Sequence, residues 1–199
     1  ADIYTYLYFE ELNIDPKDPK KADRDRFVLS KGHTAPGYYS ALAHRGFFPV
    51  EDLKTLRHTG SYLQGHPDMK HIPGVDMSSG SLGQGISAAV GMAISAKLSN
   101  DDYRVYTLLG DGEIQEGQVW EASMLAGFRK LDNLVVIVDN NNLQIDGRID
   151  EVNSPYPIDK KFEAFNFHVI NIDGHDFDQI AAAFKEARET KGMPTAINL

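Results

Sequence analysis

The stretch YRVYTLLGDGEIQEG, residues 103–117, joins a predicted strand to a turn that presents a single carboxylate. Residues 103–109 are mainly apolar, β-branched or aromatic, which predicts a buried strand. The strand stops at Gly110-Asp111-Gly112, where the two glycines permit positive φ angles and a close approach of another group to the backbone. A helix is predicted over 116–130, so this stretch begins a strand–helix–strand unit.

The rest of the second half alternates between strands and helices. The apolar run NLVVIVD, residues 133–139, predicts a strand that is buried on both faces. After a long loop, the pattern predicts helix 159–165, strand 167–172, helix 176–191 and strand 195–199. Strands that alternate with helices form parallel sheets through right-handed crossovers. We therefore predict an α/β fold, in which helices flank a doubly wound and mainly parallel sheet.

The first half of the chain is less regular. Three helices are predicted, over residues 2–12, 36–45 and 50–58. Residues 63–85 are rich in Gly, Pro and Ser and predict an irregular surface segment. Residues 83–98 contain many small side chains, so a helix here can lie very close to a sheet or to another backbone.

Composition and charge exclude several classes of function. The 199 residues are 42% hydrophobic, which suits a folded core in one domain over residues 1–199. A net charge of −9, from 20 basic and 29 acidic residues, argues against a nucleic-acid surface. No apolar run is long enough to span a membrane, no export signal is recognised and cysteine is absent, so we expect a cytoplasmic protein. The chain begins without methionine and stops inside a predicted strand, so we expect that both ends were trimmed from a longer protein.

Polar side chains follow two of the predicted strands. Asp111 comes directly after the first, and the run DNNN, residues 139–142, ends the second. Asp111 and Asn141 are 30 residues apart, so neighbouring parallel strands would bring them to the sheet edge where open α/β folds bind ligands. Carboxylate and amide oxygens suit Mg²⁺ or Ca²⁺, and magnesium keeps positions open for phosphate oxygens. Taken singly, both motifs are ordinary turn sequences; together they indicate a metal ion that holds a diphosphate.

Gly-Asp-Gly followed at this distance by asparagines is similar to the signature of thiamine diphosphate binding, and the chain resembles the diphosphate-binding domain of the transketolase family. The resemblance covers nearly the whole chain, and it is closest to the form in which separate polypeptides carry the N-terminal and C-terminal parts. It rests on the stretches DRDRFVLSKGH (23–33), LQGHPD (63–68), GSLGQGISAAVGMA (80–93), GDGEIQEGQVWEASMLAG (110–127) and DNNNLQIDG (139–147).

The resemblance implies a thiamine diphosphate cofactor and a divalent metal, Mg²⁺ with Ca²⁺ or Mn²⁺ as alternatives. Asp111, Asn141 and the main-chain carbonyl of Leu143 would bind the metal. Counting back four positions from Ile145-Asp146-Gly147 selects Asn141 from the three consecutive asparagines. Gly112 and Asn141 would also contact the diphosphate.

The resemblance also implies catalytic roles for two histidines and one glutamate. His33, within SKGH, would lie beside the diphosphate and thiazolium end of the cofactor. His66, within GHPD, would reach a substrate hydroxyl or the developing oxyanion. Glu116 would join an acidic, proton-linked contact between subunits. Backbone and side-chain contacts to the cofactor are implied for Gly80, Ser81 and Leu82.

A transketolase-like chain would help to transfer a two-carbon ketol unit from a ketose phosphate to an aldose phosphate. The resemblance implies activity only with a C-terminal part or subunit that carries the pyrimidine-binding domain, in a homo-oligomer or a heterotetramer. The substrates would be sugar phosphates, and neither nucleic acid nor a membrane is expected as a partner. The alternatives are a 1-deoxyxylulose-5-phosphate synthase, a component of a 2-oxo acid dehydrogenase, and a non-catalytic subunit of the same fold, although SKGH, LQGHPD and GSLGQG favour transketolase.

Overall fold

The computed structural model of the chain describes residues 1–145 and 147–199. The strands within these residues are β1 (Arg26–Leu29), β2 (Val105–Gly110), β3 (Leu134–Asp139), β4 (Leu143–Gln144), β5 (Gly147–Arg148), β6 (His168–Asn171) and β7 (Thr195–Asn198). Five of them form one parallel sheet in the order β1-β2-β3-β7-β6, and β4 pairs with β5 in a separate antiparallel hairpin. The predicted α/β fold is therefore confirmed.

Helices occupy most of the connections between the strands. They are α1 (Asp2–Tyr6), α2 (Ala35–Arg45), α3 (Gly85–Ser99), α4 (Gly117–Phe128), α5 (Ile149–Val152), α6 (Ile158–Ala164) and α7 (Phe177–Glu189). The sequence explains several of their ends. The α7 helix begins after Asp176, whose side chain accepts the backbone N–H groups of Asp178 and Gln179. The α2 helix ends at Gly46, which has a φ of +101°.

Both faces of the sheet are buried under helices. Alternate residues of a strand point to opposite faces, so Phe27 packs into a core with side chains of α1, α2 and α7, while its neighbour Val28 packs into a second core with side chains of α3, α4 and α6. The same alternation runs along β2 and β3. This double burial explains why both strands appear in the sequence as continuous apolar runs.

The small residues of α3 let the helix approach the sheet closely, as the sequence predicted. A Cβ atom on Gly85 would lie only 2.6 Å from the Cα of Ser30, at the end of β1. Ala89, Ala93 and Ala96 continue the buried face of the helix. Glycine at position 85 therefore allows the start of α3 to lie directly against the segment that follows β1.

Several predicted elements differ from the structure. The sequence analysis placed no strand before residue 103, whereas Arg26–Leu29 forms β1, because a four-residue strand among charged residues has too short an apolar pattern to be recognised. The helix predicted over 50–58 is wrong; Val50–Thr55 forms a 3₁₀-helix. The helix predicted over 2–12 continues beyond α1 as a π-helical turn, Leu7–Glu11. Across the described residues, every helix is too short or too polar to cross a membrane.

Candidate functional site

A cavity of about 390 Å³ lies at the carboxyl ends of β1, β2 and β3. Neighbouring strands β2 and β3 end in register, because Gly110 pairs with Asp139, and this confirms the predicted juxtaposition of the two polar motifs. The loop after β1 and the β4–β5 hairpin complete the walls. Of the predicted site residues, the cavity lining includes His33, Leu82, Asp111, Gly112, Glu116, Asn141 and Leu143.

Asp111 is held rigidly at the base of this cavity. Its side chain is only 2% exposed. One carboxylate oxygen accepts the backbone N–H of Gly112 at 2.9 Å, and the other accepts the backbone N–H of Asn142 at 2.8 Å. Burial raises the pKa of Asp111 above its usual value, although these two hydrogen bonds act in the opposite direction. A carboxylate that is buried and fixed in this way is suited to a cation.

The three asparagines after β3 have different surroundings. The hydroxyl of Tyr156 lies within hydrogen-bonding distance of the side-chain oxygens of both Asn140 and Asn142. The side-chain oxygen of Asn141 instead accepts the backbone N–H of Leu143 at 3.0 Å, and Asn141 lines the cavity. The structure therefore distinguishes Asn141 from its neighbours.

The oxygen donors around the cavity fit a hard divalent cation. In residues 1–145 and 147–199, histidine, cysteine and acidic side chains do not form a cluster of three or more that could hold a metal ion. A cation here would instead depend on one carboxylate, that of Asp111, with the neutral oxygens of the Asn141 amide and the Leu143 main chain. This mixture of one charged and two neutral oxygens leaves room for phosphate oxygens, as magnesium sites require.

Apolar side chains surround the same cavity. Leu82 is 37% exposed, Leu143 is 61% exposed and Ile145 is 95% exposed. Ile145 has a φ of +50°, a conformation that β-branched residues rarely adopt and that is found more often at functional sites. Exposed apolar side chains beside a polar pocket indicate a ligand that carries an apolar or aromatic part as well as charged groups.

His33 and His66 are both exposed. Partial loss of water lowers the pKa of His33, and the positive charge of Lys31 and the proximity of His66 lower it further. His66 lies beside Gly80, where an added Cβ would be 3.4 Å from the imidazole. The lining recorded for the cavity among the described residues omits His66, Gly80 and Ser81, so these three lie outside it.

Glu116 is exposed at the edge of the cavity, at the N-terminus of α4. Its side chain packs against Gly83, which has a φ of +79°; a Cβ on Gly83 would lie 2.8 Å from that of Glu116. A glycine is therefore required where the loop before α3 meets Glu116.

Sequence analysis missed the ion pair between Lys31 and Asp139. Lys31 is only 5% exposed, and its ammonium group contacts the Asp139 carboxylate across the end of β2. The lysine stem passes over Gly110, where an added Cβ would lie 3.4 Å from the Lys31 Cδ. Gly110 thus leaves space for a side chain from the loop after β1 to reach the end of β3. The position of Lys31 beside His33 in SKGH was the only available signal.

Glu113 was also missed, although it is one of the two glutamates in the quoted turn. Its carboxylate is 3% exposed and accepts hydrogen bonds from the Ser30 hydroxyl, from the Gly83 N–H at 2.9 Å and from the Gly110 N–H at 3.1 Å. Burial raises the pKa of Glu113, while its hydrogen bonds act to lower it. Glu113 is therefore an internal contact of the site rather than a group presented to solvent.

The substitution Lys31→Met is expected to raise the pKa of the His33 imidazole, because the lysine charge helps to hold that pKa down. In the native chain, a pKa below the usual value of 6.5 keeps His33 neutral until the pH falls below its ordinary titration range. An NMR titration of the His33 ring measures the change. Lys70→Met, which removes an exposed lysine, is the control and should leave the curve unchanged. A His33 pKa that stays constant or falls in Lys31→Met would contradict the prediction.

Comparisons with known proteins identify the family. The family model described as "Transketolase, thiamine diphosphate binding domain" matches residues 1–199. The chain is 48% identical over 199 residues to the 6-deoxy-6-sulfo-D-fructose transketolase subunit SqwG of a Clostridium strain, covering 100% of this chain and 72% of that protein. It is 45% identical to the transketolase of Mus musculus, covering 99% of this chain and 31% of the mouse protein. The solved structure of transketolase from Leishmania mexicana superposes with a TM-score of 0.94 at 37% identity, covering 98% of this chain and 31% of that one. The chain therefore belongs to the transketolase family, in which it corresponds to the thiamine diphosphate-binding domain.

Proposed function

We propose that this chain is the N-terminal part of a transketolase and that it binds thiamine diphosphate for transfer of a two-carbon ketol unit from a ketose phosphate to an aldose phosphate. The observation that carries the proposal is the cavity at the ends of β2 and β3. Asp111 and Asn141, from two separate sequence motifs, line this cavity together with exposed apolar side chains. The match to the family's thiamine diphosphate-binding domain supports the same conclusion.

The residues at the base of the cavity would hold the diphosphate through a metal ion. Asp111, the Asn141 amide and the Leu143 main-chain carbonyl would bind Mg²⁺, with Ca²⁺ or Mn²⁺ as alternative ions. Gly112 would let the diphosphate approach the backbone, and Asn141 would contact it as well. Gly80, Ser81 and Leu82 would approach the cofactor from the loop before α3.

The remaining wall residues would position the reacting groups. Leu82, Leu143 and Ile145 would pack against the thiazolium ring and exclude water from it. When bound, thiamine diphosphate supplies the nucleophilic carbon for cleavage of the ketose carbon–carbon bond. His33, kept neutral by its lowered pKa, would donate a hydrogen bond from one ring nitrogen and accept one at the other. His66 would donate to a substrate hydroxyl or stabilise the developing oxyanion.

The proposed enzyme requires a second part. Relatives that this chain covers for most of their length are named as transketolase subunits, for instance one of an apulose-4-phosphate transketolase from Actinobacillus succinogenes, 43% identical over 197 residues and covered for 71% of its length. We propose that residues 1–199 form one diphosphate-binding domain of a cytoplasmic enzyme, and that a C-terminal part or subunit supplies the pyrimidine-binding domain. Glu116, exposed at the cavity edge, would contact the neighbouring subunit. The assembly would be a homo-oligomer or a heterotetramer.

The substrate assay uses the purified complex of this chain with its C-terminal part, thiamine diphosphate and Mg²⁺. Xylulose 5-phosphate as donor and ribose 5-phosphate as acceptor should give ketol transfer, while pyruvate should give no product. The relatives' names justify two further donors, 6-deoxy-6-sulfo-D-fructose and apulose 4-phosphate. Preference for either would specify the substrate within the proposed reaction class.

Two outcomes would contradict the proposal. Consumption of pyruvate without ketol transfer would favour the alternative of a 1-deoxyxylulose-5-phosphate synthase or a component of a 2-oxo acid dehydrogenase. Binding of thiamine diphosphate without turnover of any of these donors would favour the non-catalytic subunit.

A further inference from the structure

Glu113 joins three segments of the chain that are far apart in sequence. Its Oε1 atom accepts hydrogen bonds from the Ser30 hydroxyl and from the Gly83 N–H, and its Oε2 atom accepts the Gly110 N–H. The side chain is 3% exposed, so these partners, rather than water, compensate for its burial. The same carboxylate therefore contacts the end of β1, the loop before α3 and the end of β2.

Each of these segments carries residues of the proposed cofactor site. The segment after Ser30 leads to His33, the loop at Gly83 follows Leu82, and Gly110 precedes Asp111. Backbone hydrogen bonds of the parallel sheet join β1 to β2, but the loop before α3 lies outside the sheet. Glu113 is thus a side-chain link between this loop and the ends of the two strands.

We infer that Glu113 is a positioning residue that sets the distance between these three segments and so gives the cofactor cavity its shape. The inference rests on the proposed function. Glu113 acts through the residues that it holds, and it reaches neither substrate nor cofactor itself. A carboxylate suits this role because its two oxygens can accept several hydrogen bonds at once, whereas an amide offers only one accepting oxygen.

The chain contains a matched control at the opposite edge of the same two strands. Asp25 is 8% exposed, and its carboxylate accepts the backbone N–H groups of Asn13 at 2.9 Å and of Arg104 at 2.7 Å. Asp25 precedes β1, and Arg104 precedes β2. It is therefore also a buried carboxylate that links β1 to β2 through backbone amides, but it lies at the amino ends of the strands, away from the cavity.

The test compares Glu113→Gln with Asp25→Asn in the assembled protein. Thermal unfolding without cofactor should show a loss of stability in both variants. Calorimetric titration with thiamine diphosphate and Mg²⁺, at a temperature where each variant is folded, should show affinity reduced roughly 10-fold or more only in Glu113→Gln, the effect typical of losing a partner that orients ligand-binding groups. In the assay, the apparent KM for the cofactor should rise in Glu113→Gln more than kcat falls. If Glu113→Gln does not fold, Ser30→Ala removes one of the three donors and should give a smaller loss of affinity in the same direction.

The results separate this inference from the proposed function. Native affinity in Glu113→Gln, or in Ser30→Ala where the first variant does not fold, would overturn the positioning role and leave the proposed function intact. An equal loss of affinity in Asp25→Asn would overturn it too, because general destabilisation would then explain the effect. Failure of the unsubstituted protein to bind thiamine diphosphate would overturn the proposed function and this inference with it.

Discussion

Asp111→Ala is expected to abolish metal-dependent binding of thiamine diphosphate. The substitution removes the one carboxylate of the proposed ligand set, together with the acceptor for the backbone N–H groups of Gly112 and Asn142. Loss of a partner that merely orients a metal ligand costs about 10–100-fold in affinity, so loss of the charged ligand itself should cost more than about 100-fold. Calorimetric titration of the assembled protein with the cofactor, with and without Mg²⁺, measures the effect.

The control for Asp111→Ala is Asp25→Ala. Both substitutions remove a buried carboxylate that accepts two backbone N–H groups, so both should destabilise the fold to a comparable extent. Only Asp111→Ala should eliminate cofactor binding. Unchanged affinity in Asp111→Ala would show that the metal site lies elsewhere and would remove the main support for the proposed function.

Gly127→Ala is expected to give the largest loss of stability among the glycine substitutions that lie outside the cavity. Replacing glycine by alanine within a helix normally stabilises a protein, because alanine loses less backbone entropy on folding. At position 127, however, the new Cβ would lie 1.9 Å from the main-chain oxygen of Phe165, at the end of α6. Since a backbone group cannot turn away as a side chain can, we expect unfolding to become easier by at least about 2 kcal/mol.

Thermal unfolding checks this prediction, and the midpoint should fall by roughly 4–8 °C. Gly91→Ala provides the control, because Gly91 is also inside a helix, α3, and an added Cβ there would have no described heavy atom within 4 Å. Gly91→Ala should raise stability by about 0.4–1 kcal/mol. Equal effects of the two substitutions would mean that the close packing of α4 against α6 contributes little to stability.

The fold and one pair of site residues could be predicted because they depend on local patterns. Two apolar runs separated by a single helix form neighbouring parallel strands, and this places Asp111 and the asparagines after β3 at one edge. The choice of Asn141 needed the family resemblance. In the structure that choice depends on Tyr156, a residue of a later loop that contacts the other two asparagines and that no local pattern connects with them.

The cross-links that shape the cavity could not be predicted. Ser30 and Glu113 are 83 residues apart, and Lys31 and Asp139 are 108 residues apart. Such pairs form only when packing on both faces of the sheet has brought the strand ends together. In the sequence, Lys31 and Glu113 resemble ordinary charged residues that would face solvent.

Periodicity and motif spacing were sufficient for the sheet, its flanking helices and the edge that carries the site, because hydrophobic patterns and glycine positions act on nearby residues. The positions of β1 and of the π-helical turn after α1, and the burial of Lys31 and Glu113, emerged only with the folded chain. Their physical reason is the same: a short strand or a charged side chain becomes stable in the interior only when distant segments supply its packing and its hydrogen-bond partners.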